Sequence, residues 1–165
     1  MPELVDLQRR AGAQSVMLTY FALCDRPRRT PLCDYRSLFT DDAVWEGLGE
    51  RYASRFGRFV GGDAIAAALH NALDVACDYR FNLHQLTNEL WAETGQDLQG
   101  SWLLMQYATL SSGESYRAVA DIRVHFALQT EAWRIARFTS RNLMMTPMPD
   151  GLGDDPALAD EGSLA

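Results

Sequence analysis

At 165 residues the chain is long enough for one domain with a sizeable core, and 47% apolar with 22% charged residues excludes a disordered polymer. A formal net charge of −7 sets it against phosphate backbones; the basic residues cluster once, in Arg26-Pro27-Arg28-Arg29, too short a run for a nucleic-acid interface. No apolar run approaches the roughly 20 residues needed to cross a bilayer, which argues against a membrane partner.

The polar start, Met1-Pro2-Glu3, does not read as a secretory signal. Cys24, Cys33 and Cys77 are odd in number and lack paired metal spacing, which suits reduced thiols in a cytoplasmic protein.

Residues 5–24 have helical periodicity. Leu7, Ala11, Ser15, Leu18 and Ala22 follow three- and four-residue steps, and Val16, Met17, Tyr20, Phe21 and Leu23 widen the stripe. Pro27 disfavours the helical conformation at the residue before it, so the helix should stop near Asp25. A short helix over 33–39 and a first strand over 43–47 are expected next, then a loop-like segment over 49–62. Asp63 is placed to N-cap a second helix with Ala64, Ile65, Ala68, Leu69, Ala72 and Leu73 on its apolar face.

The period then changes. Residues 81–93, 100–110, 117–128 and 133–139 are four β-like stretches joined by hairpin-type connections such as Ser111-Ser112-Gly113-Glu114. Helices followed by an antiparallel meander predict an α+β fold, with a curved sheet and overlying helices around a pocket. Residues 146–165 are acidic and poor in large apolar side chains, and are expected to be a flexible tail behind a domain spanning 1–145.

Several motifs carry a resemblance in order: Tyr20-Phe21-Ala22-Leu23-Cys24-Asp25, Ser37 through Glu46, Val60-Gly61-Gly62-Asp63-Ala64-Ile65, Leu83-His84-Gln85-Leu86-Thr87-Asn88 and Trp133-Arg134-Ile135-Ala136-Arg137-Phe138. Together they resemble the SnoaL-like branch of the NTF2-like superfamily from about residue 11 to 145. The resemblance implies a cone-shaped α+β barrel. Its layout is similar to scytalone dehydratase and bile-acid 7α-dehydratase, where a Tyr and an Asp at the end of the first helix face a His on the strand after the second helix. Tyr20, Asp25 and His84 match those positions. Gln106 stands where the dehydratases carry a second His or Asp, and Arg141 falls within about one residue of a late Arg. Small subunits of aromatic-ring-hydroxylating dioxygenases share the layout and are mainly structural.

The residues support this reading independently. His84, Leu86, Asn88 and Leu90 alternate onto one strand face, and a His beside a carboxylate in an apolar cavity can move a proton near neutral pH. Asp25 has a rival role as a turn residue before Pro27. Tyr20 and Gln106 are candidates to hydrogen-bond a substrate oxygen, and Trp45 and Trp102 to line a pocket for a flat apolar ligand. Asp121, Arg123 and His125 alternate on one strand face opposite Ile122, Val124 and Phe126, as a solvated or subunit-facing stripe does. His70 is expected at the surface. Three scattered His make a metal site improbable, and no Gly-rich phosphate loop or Ser nucleophile elbow is present.

The expectation is therefore a cofactor-independent lyase or isomerase for a small hydrophobic, aromatic or polycyclic substrate. His84, Asp25 and Tyr20 would be catalytic, with Gln106, Trp45, Trp102, Leu86, Asn88 and Arg141 binding substrate. The alternatives are a non-catalytic dioxygenase small subunit and a ligand-binding module without turnover. A homodimer or higher homo-oligomer is expected, because broad sheet surfaces are commonly covered by a second copy.

Overall fold

The structure, a computed structural model, describes residues 2–149, with the backbone alone at 2–6 and 94. The elements run α1 (Pro2–Cys24), α2 (Leu32–Ser37), β1 (Phe39–Leu48), α3 (Gly49–Phe56), β2 (Arg58–Val60) and α4 (Gly62–His70). A π-helical turn (Asn71–Val75) leads into the long strands β3 (Tyr79–Thr94), β4 (Asp97–Leu110), β5 (Ser115–Gln129) and β6 (Ala132–Met148). They build one curved, open six-stranded sheet in the order β2-β1-β6-β5-β4-β3.

The meander β3–β6 is antiparallel throughout, as the hairpin connections predict. β1 joins it in parallel to β6, with Trp45 opposite Phe138, and β2 pairs antiparallel at the far edge. The last strand continues to Met148, beyond the expected domain end at 145; residues 150–165 of the expected tail lie outside the described residues.

Helix α1 ends at Cys24, where the Pro27 argument puts it, but its buried face differs from the expected stripe. Ala13, Met17, Tyr20, Phe21 and Cys24 face the sheet, whereas Leu7 and Leu18 are 62% and 57% exposed. Both rows obey helical spacing. The row with Met17, Tyr20 and Phe21, expected only to widen the stripe, won because its two rings and Met bury more apolar area than two Leu among Ala and Ser. These side chains meet Ile122, Val124, Phe126, Ile135 and Phe138 in the main core.

The segment expected as a loop over 49–62 is mostly regular. In α3, Tyr52 and Phe56 stand one turn apart and point inward, their rings 4.8 Å apart edge to face, while Arg51 and Ser54 face water. Eight residues with two aromatics at i and i+4 suffice for a helix when a sheet lies beneath. α3 sits so close to β1 that a Cβ at Gly47 would lie 2.2 Å from the Tyr52 carbonyl oxygen.

Asp63 does not cap the next helix. The chain turns in at Gly61 (φ +96), α4 begins at Gly62, and the Asp63 carboxylate instead accepts from Arg36 Nε at 2.6 Å.

Candidate active site

A cavity of about 390 Å³ opens between the concave sheet face and the helices. α1 contributes Tyr20, Phe21 and Cys24; α3 contributes Tyr52, Arg55 and Phe56; α4 and the π turn contribute Ile65, Leu69 and Leu73. The sheet supplies Trp45, Tyr79, Asn82, His84, Gln106, Phe138 and Ser140, among others. Among the described residues no Asp or Glu lines it.

At the end of α1 the helix stops one residue before Asp25, whose N–H still bonds the Phe21 carbonyl at 2.9 Å. This fixes the Asp25 side chain against β3. One carboxylate oxygen contacts His84 Nδ1 at 2.6 Å, and the other accepts the His84 backbone N–H at 3.2 Å. The His84 side chain is 9% exposed and the Asp25 side chain 21%. Because a carboxylate accepts, it selects the tautomer with hydrogen on Nδ1 and leaves the Nε2 lone pair toward the cavity. Phe21 packs against the imidazole with centroids 5.0 Å apart, which limits ring rotation.

Two further groups face the same space. Tyr20 is 3% exposed, and its oxygen accepts the Trp45 indole N–H at 3.0 Å. Burial pushes the Tyr20 phenol well above its ordinary pKa, so it stays a proton donor. Gln106, directly opposite His84 on β4, donates to Asn82 Oδ1 at 2.7 Å, and Asn82 donates to the Cys24 carbonyl at 3.0 Å. This chain holds the Gln106 amide in place with one N–H left for a ligand.

Four of the nine expected binding or catalytic side chains lie elsewhere. Trp102 is buried against Trp91 and Phe126 rather than in the cavity wall, and donates to Glu89 at 3.1 Å. Leu86 is half-buried and packs on the core away from the cavity. Asn88 adopts φ 55 at a register break between Thr87 and Leu90; it is exposed, and Leu90 beyond it is 70% exposed. A bulge shifts the alternation by one, so the period-2 extrapolation from His84 fails there. Arg141 is exposed beside Gly49, and its neighbour Ser140 takes the cavity position.

Asn82 was missed although the alternation that turns His84 inward also turns it inward. Arg55 was missed with the helix that carries it. Among the described residues no group of three His, Cys, Asp or Glu is placed to hold a metal, and no helix is long and apolar enough to cross a membrane.

Residues 5–139 match the model of the SnoaL-like domain. The chain belongs to the SnoaL-like family. Its fold is similar to that of a type 2 hexachlorocyclohexane dehydrochlorinase (TM-score 0.74, 19% identity, covering 89% of this chain and 93% of that one). It is also similar to two Novosphingobium aromaticivorans proteins: a candidate aromatic ring hydroxylase (TM-score 0.72, 18% identity, 86% and 94% covered) and a candidate scytalone dehydratase (0.69, 15%, 90% and 91%). At these identities the likeness is one of fold. No curated protein matches the sequence. The NTF2-like architecture of this SnoaL-like protein is thus as the motifs implied.

Proposed function

We propose that this SnoaL-like protein is an acid–base lyase or isomerase of the dehydratase type, needing no cofactor and acting on a small hydrophobic substrate. The observation that carries the reading is the 2.6 Å contact between Asp25 and His84 at the wall of an apolar cavity.

His84 Nε2 takes a proton from a carbon made acidic by a neighbouring carbonyl or similar group. The C–H electron pair becomes a double bond as a leaving group departs with its own bonding pair from the adjacent carbon. In isomerisation the proton returns from Nε2 to another carbon instead. Asp25 remains ionised and stabilises the imidazolium that forms. Tyr20 and the free Gln106 N–H donate to the oxygen on which charge develops.

The similarity in fold to a dehydrochlorinase and a candidate scytalone dehydratase supports elimination over transfer chemistry. Three unpaired cysteines suit a cytoplasmic setting. In the rival reading, a non-catalytic small subunit of an aromatic-ring-hydroxylating dioxygenase, the Asp25–His84 contact only ties β3 to the end of α1.

The test is proton exchange and elimination in deuterium oxide, followed by NMR over a panel of apolar ketones and compounds with a leaving group β to an acidic C–H. His84→Gln should lower the rate by about 10²–10⁴. Equal rates in wild type and His84→Gln would sink the assignment, and steady co-purification with a larger oxygenase chain would favour its rival.

A further inference from the structure

The cavity has a second polar pole that proton transfer at His84 does not use. On α3, Arg55 Nη2 donates to the Tyr79 hydroxyl oxygen at 3.0 Å, and Tyr116 donates its hydroxyl to the same oxygen at 3.3 Å. Tyr116 holds its proton because burial pushes its phenol up. The Tyr79 oxygen thus accepts twice, while its own hydrogen has no acceptor among the described residues. Arg55 also covers the Phe56 ring at 5.5 Å, which aligns the guanidinium along the cavity rim.

In this acidic chain arginines readily find carboxylates: Arg36 meets Asp41 and Asp63, Arg58 and Arg137 meet Glu46, and Arg123 meets Asp121. Arg55 has no carboxylate within ion-pair reach among the described residues. It does have an apolar cavity beside it whose lining holds no acid. A guanidinium fork next to a free phenolic donor matches the two oxygens of a planar oxyanion.

We propose that Arg55 and Tyr79 anchor a carboxylate of the substrate, making the substrate class an apolar body with one terminal carboxylate. This rests on the reading of the cavity as the substrate site. Tyr79 and His84 stand five residues apart on β3, roughly 16 Å at some 3.3 Å per residue. The carboxylate therefore sits remote from the reacting carbon, and its charge holds the substrate in one orientation.

The experiment is calorimetric titration with naphthalene-2-carboxylate and with its neutral analogue 2-acetylnaphthalene. Wild type should bind the carboxylate about tenfold more tightly than the ketone, with the advantage shrinking as salt rises. Arg55→Gln should bring the carboxylate down to the ketone's affinity, Tyr79→Phe should narrow the gap, and Arg55→Lys should restore part of it. Unchanged ketone binding shows in each case that the cavity is intact. The anchor is overturned by equal binding of the two probes, by no carboxylate binding at millimolar concentration, or by a preference that survives Arg55→Gln. His84→Gln separates the two readings. If it keeps the carboxylate preference, the anchor stands whatever happens to turnover. If it abolishes the preference, the imidazole and not Arg55 is the anion's partner.

Discussion

Asp25 holds His84 at two points, ring and backbone, across 59 residues of sequence. The backbone contact ties β3 to the end of α1, and the ring contact sets which imidazole nitrogen carries hydrogen. Asp25→Asn keeps the shape but offers an amide N–H to one of the two donors, so it should allow the other tautomer. Nitrogen-15 spectra of His84 should show Nδ1–H in the neutral ring of wild type and a mixture in Asp25→Asn. Turnover should fall less for Asp25→Asn than for His84→Ala, because orientation is weakened in one and the base is deleted in the other. A wild-type ring protonated on Nε2 in its neutral form would contradict this assignment.

Phe138 is the second joint of the site. It is 2% exposed, stacked on Trp45 with centroids 5.5 Å apart and planes at 4°, and 4.9 Å from the Tyr20 ring. Phe138→Ala should cost about 3–5 kcal/mol, a fall in Tm on the order of 10 °C for a chain of this length. It should also release Trp45 and Tyr20, seen as a shifted indole emission. A change below about 1 kcal/mol would mean the cavity wall collapses onto the gap.

The thiols give a simple check of burial. Cys33 is exposed, whereas Cys24 and Cys77 are buried, and burial together with the Asp25 charge pushes the Cys24 thiol far up. Native protein at pH 8 should react rapidly at one thiol with a disulfide reagent, and at three in denaturant.

Tyr20 and Tyr116 are raised by burial in the same way as Cys24. A group whose folded pKa lies above its unfolded value binds the extra proton in the folded state, so its stabilisation is complete below the unfolded pKa and declines as pH rises past it. With unfolded values of about 8.5 for Cys and 10 for Tyr, melting temperatures should be flat near pH 7–8 and fall from about pH 9 to 11. A Tm that holds level to pH 11 would contradict the assigned burial.

A second copy is expected over the outer sheet face, where Leu83, Leu143 and Met144 are between 38% and 54% exposed. Sedimentation at micromolar concentration should show a species larger than 18.5 kDa; a single monomeric boundary would argue against association.

The sequence made the meander and the end of α1 legible for a physical reason: turn residues between period-2 stretches, and a proline three residues beyond the last helical one, are local signals. The pairing of His84 with Asp25 spans 59 residues and was legible only through the resemblance to the dehydratase layout. The failures lie where local signals compete. Two rows of α1 satisfy helical spacing, and only the sheet decides between them. Asn88 takes a left-handed conformation that Asn tolerates without advertising it, and everything after it on β3 changes face. Arg55 belongs to a helix too short to declare itself apart from the strand beneath it. The parallel pairing of β1 with β6 leaves no local trace, because it joins residues as distant as Trp45 and Phe138.

That pairing orders the events of synthesis. Until a ribosome has delivered Phe138 and Ser140, β1 has an open hydrogen-bonding edge, and Tyr20 and Trp45 lack the ring that both pack against. A nascent chain paused between β5 and β6 therefore exposes aromatic surface and an unpaired strand together, the combination on which neighbouring nascent chains aggregate. The cavity wall and the protection of the β1 edge thus arrive with the same strand, the last of the sheet to be made.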